Sequence, residues 1–201
     1  MSYLAASPYI DFDDPDVLAT ARRLAHDARS QAEVVRACFA FVRDEIEHSA
    51  DFQRNPVTCR ASDVLRQGTG FCYAKSHLLA ALLRANGIPA GLCYQRLATG
   101  NNDAPYCLHG LNAVYLQDHG WYRIDPRGNK PGVQASFDPP REALPFAPCG
   151  PGEGDLEGIW AEPLPVVVEA LERCTTYGQV LAALPDATLM QYAILPSRAN
   201  E

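Results

Sequence analysis

The sequence of 201 residues lacks the features of several functional classes. No apolar run approaches the length that crosses a membrane, and the first residues carry neither the basic segment nor the apolar core of a signal peptide. Basic residues do not cluster, and a net charge of −7 disfavours contact with nucleic acid or an anionic membrane surface. We therefore expect a cytoplasmic protein that binds no nucleic acid and no membrane.

Paired cysteines are also lacking, although cysteine itself is abundant. The seven cysteines are odd in number, none belongs to a Cys-x-x-Cys pair, and several lie in apolar segments. A metal or redox role would need clustered thiols, and no acidic cluster resembles a calcium-binding EF-hand loop. The sequence therefore predicts reduced thiols, no metal site and no cofactor.

Residues 68–89 place a cysteine at the start of a predicted helix. Two glycines precede Cys72, and leucines follow it at helical spacing until Asn86-Gly87 ends the pattern. Unpaired N–H groups and the positive end of the helix dipole favour a thiolate at this position. The alternative is that Cys72 is a small buried apolar residue. We expect the helix to be buried on its leucine face.

Two helices are predicted upstream of this segment. Pro15 suits the first turn of one of them, and Ala19 and Leu24 are expected on its inner face. Ser30 and Glu33 have the spacing of a capping box, which predicts the start of the second helix. An apolar stripe follows and indicates a core helix.

The second helix is predicted to end near His48, which we interpret as a solvated residue favoured by the helix dipole; the alternative is a catalytic group. Residues 49–70 lack periodicity and predict a long loop with one helical turn at residues 61–65. This loop would frame one side of a cleft at the cysteine. Gln67 and Phe71 are candidates for binding substrate there, and the Gln67 amide is also a candidate donor to an oxyanion. The alternative for Gln67 is a simple solvated side chain.

Three strands are predicted after the cysteine helix. Residues 90–97 form the first, and residues 107–116 and 121–125 form a hairpin. The length of the hairpin connection decides which side chains share a face.

The register of this hairpin determines whether His109 meets Asp125. If Gly120 adopts a positive φ after a three-residue connection, Leu116 lies opposite it. His109 and Asp125 then share one face diagonally, at a Cβ separation of about 7 Å, within reach of a hydrogen bond. A connection of even length would place them on opposite faces. Arg123 shares the face of Asp125, so an ordinary ion pair between them is the alternative.

The last third of the sequence differs in composition from the rest. Residues 131–165 hold half of the sixteen prolines, which predicts an irregular segment that crosses the surface or covers a cleft. Its acidic residues, Asp155 among them, are interpreted as solvated charges. Residues 165–173 and 177–184 are predicted helices that cap the core and contribute no chemistry.

Cys72, His109 and Asp125 together would supply a nucleophile, a general base and a residue that orients the base. The order of the surrounding motifs resembles that of the transglutaminase-like superfamily, a papain-related group of cysteine acyl-transfer and peptidase enzymes. The motifs are Gly70-Phe71-Cys72, Arg84-Ala85-Asn86-Gly87-Ile88-Pro89-Ala90, His109, and Trp121-Tyr122-Arg123-Ile124-Asp125-Pro126.

The resemblance implies a catalytic triad of Cys72, His109 and Asp125 that requires no metal. It implies an α+β fold with a papain-like core, in which N-terminal helices and the nucleophile helix pack on an antiparallel sheet and C-terminal helices form a cap. Within this superfamily, the sequence resembles the bacterial-type stand-alone domains. We expect residues 1–201 to form a single domain, with a core at about residues 30–130.

The expected activity is cysteine-dependent acyl chemistry through a thioester acyl-enzyme. Hydrolysis of a peptide or amide is favoured, and an amide-forming or crosslinking acyltransferase uses the same three residues. A non-catalytic binding module that keeps the fold is the alternative from another class. The substrate is expected to be a peptide, a protein or a small-molecule amide, and the sequence predicts no oligomeric state.

Overall fold

Helices from the first half of the chain surround one side of an antiparallel sheet formed by the second half. The computed structural model describes residues 2–100 and 104–190. The helices in these ranges are a 3-10 turn at Ser2–Leu4, α1 at Pro15–Ala25, α2 at Gln31–Glu45, α3 at Ala61–Gln67, α4 at Cys72–Ala85, α5 at Pro165–Glu172 and α6 at Tyr177–Ala182. The strands are β1 at Glu47–His48, β2 at Thr69–Gly70, β3 at Ala90–Ala98, β4 at Tyr106–Leu116, β5 at Gly120–Ile124, β6 at Ser136–Asp138, β7 at Arg141–Ala143 and β8 at Gly154–Asp155. The predicted α+β class is confirmed.

Helix α1 begins where the sequence predicts, but its inner face differs in one position. The Asp14 side chain accepts hydrogen bonds from the N–H groups of the first turn, which stabilises the start of the helix. Val17 and Ala21 are buried, Leu24 packs against the core and Ala19 is exposed. The prediction for Ala19 is wrong because residues four and seven positions after Val17 share its face, and the residue two positions after it does not.

Helix α2 is capped at its start by a single hydrogen bond to the side chain of Ser30. The Ser30 hydroxyl accepts from the Glu33 N–H, whereas the Glu33 carboxylate accepts from the Arg29 N–H one residue upstream of the expected partner. The helix ends at Glu45, and the chain then enters β1. His48 is therefore a buried strand residue, and its interpretation as a solvated helix end is wrong.

Helix α4 is the centre of the fold, and it is buried on all sides from Cys72 to Arg84. The sequence predicts burial of the leucine face alone. Helices α1, α2 and α3 cover one side of α4, and strands β3 and β4 cover the other. Its buried cations bond to main-chain oxygens: Lys75 donates to the carbonyls of Arg43 and Ile46, and Arg84 donates to three others. These bonds offset the cost of removing the cations from water.

The main sheet has the strand order β5-β4-β3-β8 and is antiparallel throughout. Leu116 pairs with Gly120, which has a φ of 74°. The predicted register of the hairpin is therefore confirmed. Two smaller pairings complete the sheets: β1 is parallel to β2, and β6 is antiparallel to β7.

The last third of the chain follows the edges of the sheet. Asp155 of β8 accepts from Gln95 and forms an ion pair with Arg123 at 2.8 Å, so it is not a simple solvated charge. Helices α5 and α6 follow as predicted. All seven cysteines are free thiols. Over residues 2–100 and 104–190, the helices are too short or too polar to cross a lipid bilayer.

Candidate active site

The thiol of Cys72 lies at the first position of α4. Phe71 precedes the helix and gives no side-chain cap, so the N–H groups of the first turn have no side-chain partner from this residue. The Gly110 N–H of β4 donates to Cys72 Sγ at 3.5 Å. A Cβ atom at Gly110 would lie 3.0 Å from the Tyr73 ring, so a glycine allows β4 to approach the helix start this closely.

His109 and Asp125 form a buried hydrogen-bonded pair. His109 Nε2 lies 2.6 Å from Asp125 Oδ2, and the other carboxylate oxygen accepts from the Arg127 N–H at 2.9 Å. Burial alone would lower the pKa of His109, but the Asp125 carboxylate and the Cys72 sulfur raise it to about 10. The imidazole therefore carries its proton at neutral pH.

The geometry of the hairpin brings these two residues together. Asn112 pairs with Ile124, so the next residue along the chain, Asp125, reaches the same side of the sheet as His109. Arg123 pairs instead with Glu142 at 2.8 Å and with Asp155. The alternative ion pair between Arg123 and Asp125 is therefore absent from the structure.

The three residues Cys72, His109 and Asp125 converge beside a cleft of about 460 Å³. Cys72, which is 7% exposed, and His109 line this cleft, whereas Asp125 lies behind the imidazole. Most of the wall is apolar: Phe71, Tyr73, Leu97, Leu108, Pro145, Phe146, Ala147, Leu181 and Leu184. The arrangement provides a sulfur nucleophile, a protonated imidazole and an apolar surface for an acyl group.

A second histidine lines the same cleft, and the sequence interpretation misses it. His48 of β1 pairs in register with Gly70, two residues before Cys72, and its ring packs edge-on against Phe71 at 5.8 Å. Its Nδ1 lies 3.6 Å from Asp51 Oδ2 and has no hydrogen-bond partner. The apolar Ile46 directly after α2, followed by His48, is the sequence signal that could have indicated a strand.

The electrostatics of His48 are opposite to those of His109. Burial lowers the pKa of His48 well below its usual value, and the cations Arg127 and Lys75 lower it further. The Asp51 carboxylate opposes this shift without overcoming it. His48 is therefore a neutral imidazole at physiological pH.

Arg127 connects the two histidine–aspartate pairs. Its main-chain N–H donates to Asp125, and its guanidinium donates to Asp51 Oδ2 at 2.8 Å. Lys130 lies 2.5 Å from the other oxygen of Asp51. The charge of Asp51 is thus shared between two cations, which weakens its effect on His48 without removing it.

The structure places the two candidate binding residues, Phe71 and Gln67, in different surroundings. Phe71 is buried and lines the cleft beside Cys72. Gln67 is exposed at the end of α3 and does not line the cleft, so the structure does not bring it to the site. Gly68 ends α3 with a φ of 63°, and β2 then separates Gln67 from Cys72, although Gln67 is only five positions before Cys72 in the sequence.

The segment 131–165 forms part of the cleft wall. Glu153 accepts from the N–H groups of Ala98 at 2.8 Å, Cys149 at 3.0 Å and Gly150 at 2.8 Å. These three bonds lower the pKa of Glu153 and attach the wall to the end of β3. Phe146 from the same segment packs edge-on against His109 at 4.9 Å.

Helix α6 also contributes to the wall. Leu181 of α6 and Leu184 just after it line the cleft, so the C-terminal cap shapes the site directly. Within the described parts of the chain, no group of three or more His, Cys, Asp or Glu side chains is placed to hold a metal ion.

Comparisons with known proteins give the same fold. A solved structure of a proposed cysteine protease from Cytophaga hutchinsonii is 21% identical, with a TM-score of 0.50 over 62% of this chain and 40% of that one. The periplasmic domain of TgpA from Pseudomonas aeruginosa is also 21% identical, with a TM-score of 0.47 over 62% of this chain and 45% of that one. This chain thus spans less than half the length of either structure.

At 21% identity, the structure from Cytophaga hutchinsonii shows a shared fold and nothing further. The comparison with curated proteins gave no match. The family model of the transglutaminase-like superfamily matches residues 18–126, which is more than half of the sequence and includes Cys72, His109 and Asp125. The chain belongs to the transglutaminase-like superfamily.

Proposed function

We propose that this protein is an enzyme that hydrolyses a peptide or amide bond through Cys72, His109 and Asp125. The thiolate attacks the carbonyl carbon, a C–S bond forms, and the carbonyl oxygen becomes an oxyanion that the N–H groups at the start of α4 receive. The C–N bond then breaks, and His109 donates its proton to the leaving amine. Water attacks the thioester, His109 takes the proton of that water, and the C–S bond breaks to release the acid.

One observation carries this proposal. The His109–Asp125 bond of 2.6 Å is buried at the edge of a cleft that the Cys72 thiol also lines. Both carboxylate oxygens of Asp125 are bonded, so the carboxylate has a fixed orientation and holds the imidazole with its Nδ1 available to the thiol. This is the arrangement that an imidazolium–thiolate pair requires.

The exposure of the cleft favours water as the acceptor over an amine. Cys149 is exposed, and Leu181, which is 45% exposed, lines the same cleft. Water can therefore reach an acyl group on Cys72 from this side. An acyltransferase would need to exclude water from the thioester.

Mass spectrometry of the intact protein tests the proposal. Incubation with a mixture of peptides and small amides should produce a mass increase that maps to Cys72, and the product should be the free acid. Cys107→Ala is the matched control because Cys107 also lines the cleft, and it should retain the adduct. An adduct that persists in Cys72→Ala would contradict the proposal, and a product that contains added amine would assign the chain as an acyltransferase.

Alkylation distinguishes an enzyme from a binding module. With iodoacetamide, Cys72 should react rapidly well below pH 8, whereas an ordinary thiol has a pKa of about 8.5. Cys149 is exposed and would compete for the reagent, so the measurement uses Cys149→Ala and peptide mapping. A Cys72 that reacts only as an ordinary thiol would favour the binding module.

A further inference from the structure

A polar group of the cleft has no role in the proposed reaction. His48 lines the cleft and is 7% exposed, and its Nδ1, which faces Asp51, has no hydrogen-bond partner. A buried polar atom without a partner costs free energy, so its presence beside a nucleophile indicates a function.

The position of Asp51 determines which nitrogen of His48 carries the proton. Asp51 Oδ2 lies 3.6 Å from Nδ1, and a carboxylate at this distance attracts an N–H and repels a lone pair. The neutral ring therefore holds its proton on Nδ1, which leaves Nε2 unprotonated. Nδ1 itself is buried and faces Asp51, and His48 lines the cleft, so the exposed part of the ring is the edge away from Nδ1, which carries Nε2.

The surrounding charges keep this ring from taking a second proton. Burial opposes a positive charge on His48, as do Arg127, Lys75 and the protonated His109, and the Asp51 carboxylate favours it without overcoming them. The two bonds of Asp51 to Arg127 and Lys130 weaken its attraction for a second proton on the ring. The ring is thus surrounded by cations and remains a neutral acceptor.

We propose that His48 Nε2 accepts a hydrogen bond from an N–H of the substrate and selects secondary amides, such as peptide bonds, over esters and tertiary amides. This inference rests on the proposed function, since it names the substrate class of the same site. A site built around an acceptor discriminates against a ligand without the donor, because the acceptor is then buried without a partner.

The first experiment measures the tautomer and needs no turnover. The full chain is labelled with ¹⁵N-histidine, and the His48→Gln variant identifies the two ring signals of His48. His119→Gln is the matched control because His119 is exposed at the hairpin turn. An unprotonated Nε2 at pH 7 supports the proposal; a protonated Nε2, in the other tautomer or in an imidazolium, overturns it.

The second experiment places a donor in the cleft. Cys72 is alkylated with 2-iodo-N-methylacetamide, which leaves an amide N–H beside the sulfur, or with 2-iodo-N,N-dimethylacetamide, which does not. The Nε2 signal of His48 should move with the first adduct and not with the second. Equal movement with both adducts, or movement with neither, overturns the proposal. If Cys72 resists both reagents, the proposed function fails and the tautomer measurement still decides the state of His48.

The third experiment measures selectivity in wild type and His48→Phe. The kcat/KM of wild type for a peptide amide should exceed that for its N-methylated analogue by about tenfold, the value of one hydrogen bond. This ratio should fall towards one in His48→Phe and stay unchanged in His119→Gln. Asp51→Asn is a second variant that keeps the ring and removes the proton preference, and it should reduce the ratio. A ratio that His48→Phe leaves unchanged contradicts the proposal.

Discussion

Two histidine–aspartate pairs border one cysteine, and they have opposite properties. His109 and Asp125 are 2.6 Å apart, and the pKa of His109 is raised to about 10. His48 and Asp51 are 3.6 Å apart, and the pKa of His48 is lowered well below its usual value. Both rings are buried, so burial does not explain the difference.

The difference lies in the charges around each ring: Arg127 and Lys75 lower the pKa of His48 directly, whereas Asp125 and Cys72 raise that of His109. The second oxygen of Asp125 accepts from the neutral N–H of Arg127, so the full charge of the carboxylate acts on His109. Asp51 lies 3.6 Å from its ring and also contacts the charged groups of Arg127 and Lys130, so its effect on the pKa of His48 is weaker than the opposing effects. A neighbouring carboxylate therefore makes a histidine basic when its charge is not already neutralised.

The largest expected effect comes from exchanging each histidine for glutamine. His109→Gln should reduce kcat by on the order of 10⁶-fold, since it removes both the base and the partner of the thiolate. His48→Gln should reduce kcat/KM by about tenfold, because it alters one hydrogen bond to the substrate. Steady-state kinetics with a peptide amide measures both, and thermal unfolding controls for folding. Equal reductions of the rate in the two variants would show that the two histidines contribute equally to turnover.

The carboxylates should differ by a smaller factor. Asp125→Asn should reduce kcat by on the order of 10⁴-fold, because the imidazole then loses its orientation and its charge partner. Asp51→Asn is the matched change in the other pair and should cost about tenfold at most. Alkylation of Cys72 below pH 8 should slow in Asp125→Asn and remain rapid in Asp51→Asn. Slower alkylation in Asp51→Asn than in Asp125→Asn would instead assign the thiolate partner to the His48–Asp51 pair.

The pH dependence of stability should have opposite signs for the two rings. The pKa of His109 is raised in the folded state, so its contribution is complete below about pH 6.5 and is lost as the pH rises towards about 10. The pKa of His48 is lowered, so its contribution is present above about pH 6.5 and is lost in acid. Each proton changes the free energy of unfolding by at most about 1.4 kcal/mol per pH unit.

Urea unfolding of wild type and the two glutamine variants measures these slopes. Differences between proteins are needed, because burial lowers the pKa of Lys75 to about 7 and its contribution rises with pH in the range where that of His109 falls. His109→Gln should remove a decline above pH 7, and His48→Gln should remove a decline below pH 6. A His48→Gln variant that changes the alkaline side instead would contradict the assignment.

The smallest expected effect is that of Arg127→Gln. The variant loses the guanidinium that holds Asp51 and keeps the main-chain N–H that holds Asp125. The pKa of His48 should therefore rise towards its usual value while that of His109 stays raised, and kcat should change by less than about tenfold. Histidine-labelled NMR titrations measure both rings. If the pKa values of both histidines shifted in the same direction, Arg127 would affect both rings and not His48 alone.

The parts of the site that depend on local geometry could be predicted from the sequence. The hairpin register follows from a short connection and Gly120, and those residues alone place His109 and Asp125 on one face. The start of α4 likewise follows from adjacent residues. The predicted cytoplasmic location, the single domain over residues 1–201 and the absence of nucleic-acid or membrane partners stay predictions.

The parts that depend on distant contacts could not be predicted. His48 enters the cleft because β1 pairs with β2, about twenty residues later in the chain, and no local pattern fixes that pairing. The exposure of Gln67 depends on the turn at Gly68, which changes the direction of the chain within two residues. Proximity in sequence to Cys72 favoured Gln67, and proximity in space favours His48.

The attachment of the cleft wall at Glu153 has a mechanical consequence. One side chain accepts from N–H groups at the end of β3 and at residues 149 and 150, so it joins the wall to the sheet next to the pairing of β8 with β3. A bulky acyl group that pushes this wall outward stretches three hydrogen bonds at once. One of these bonds holds the end of β3, the strand beside β4. The cleft therefore resists widening at this point, and a carboxylate far along the chain from Cys72 helps to limit the size of the acyl group that the cleft accepts.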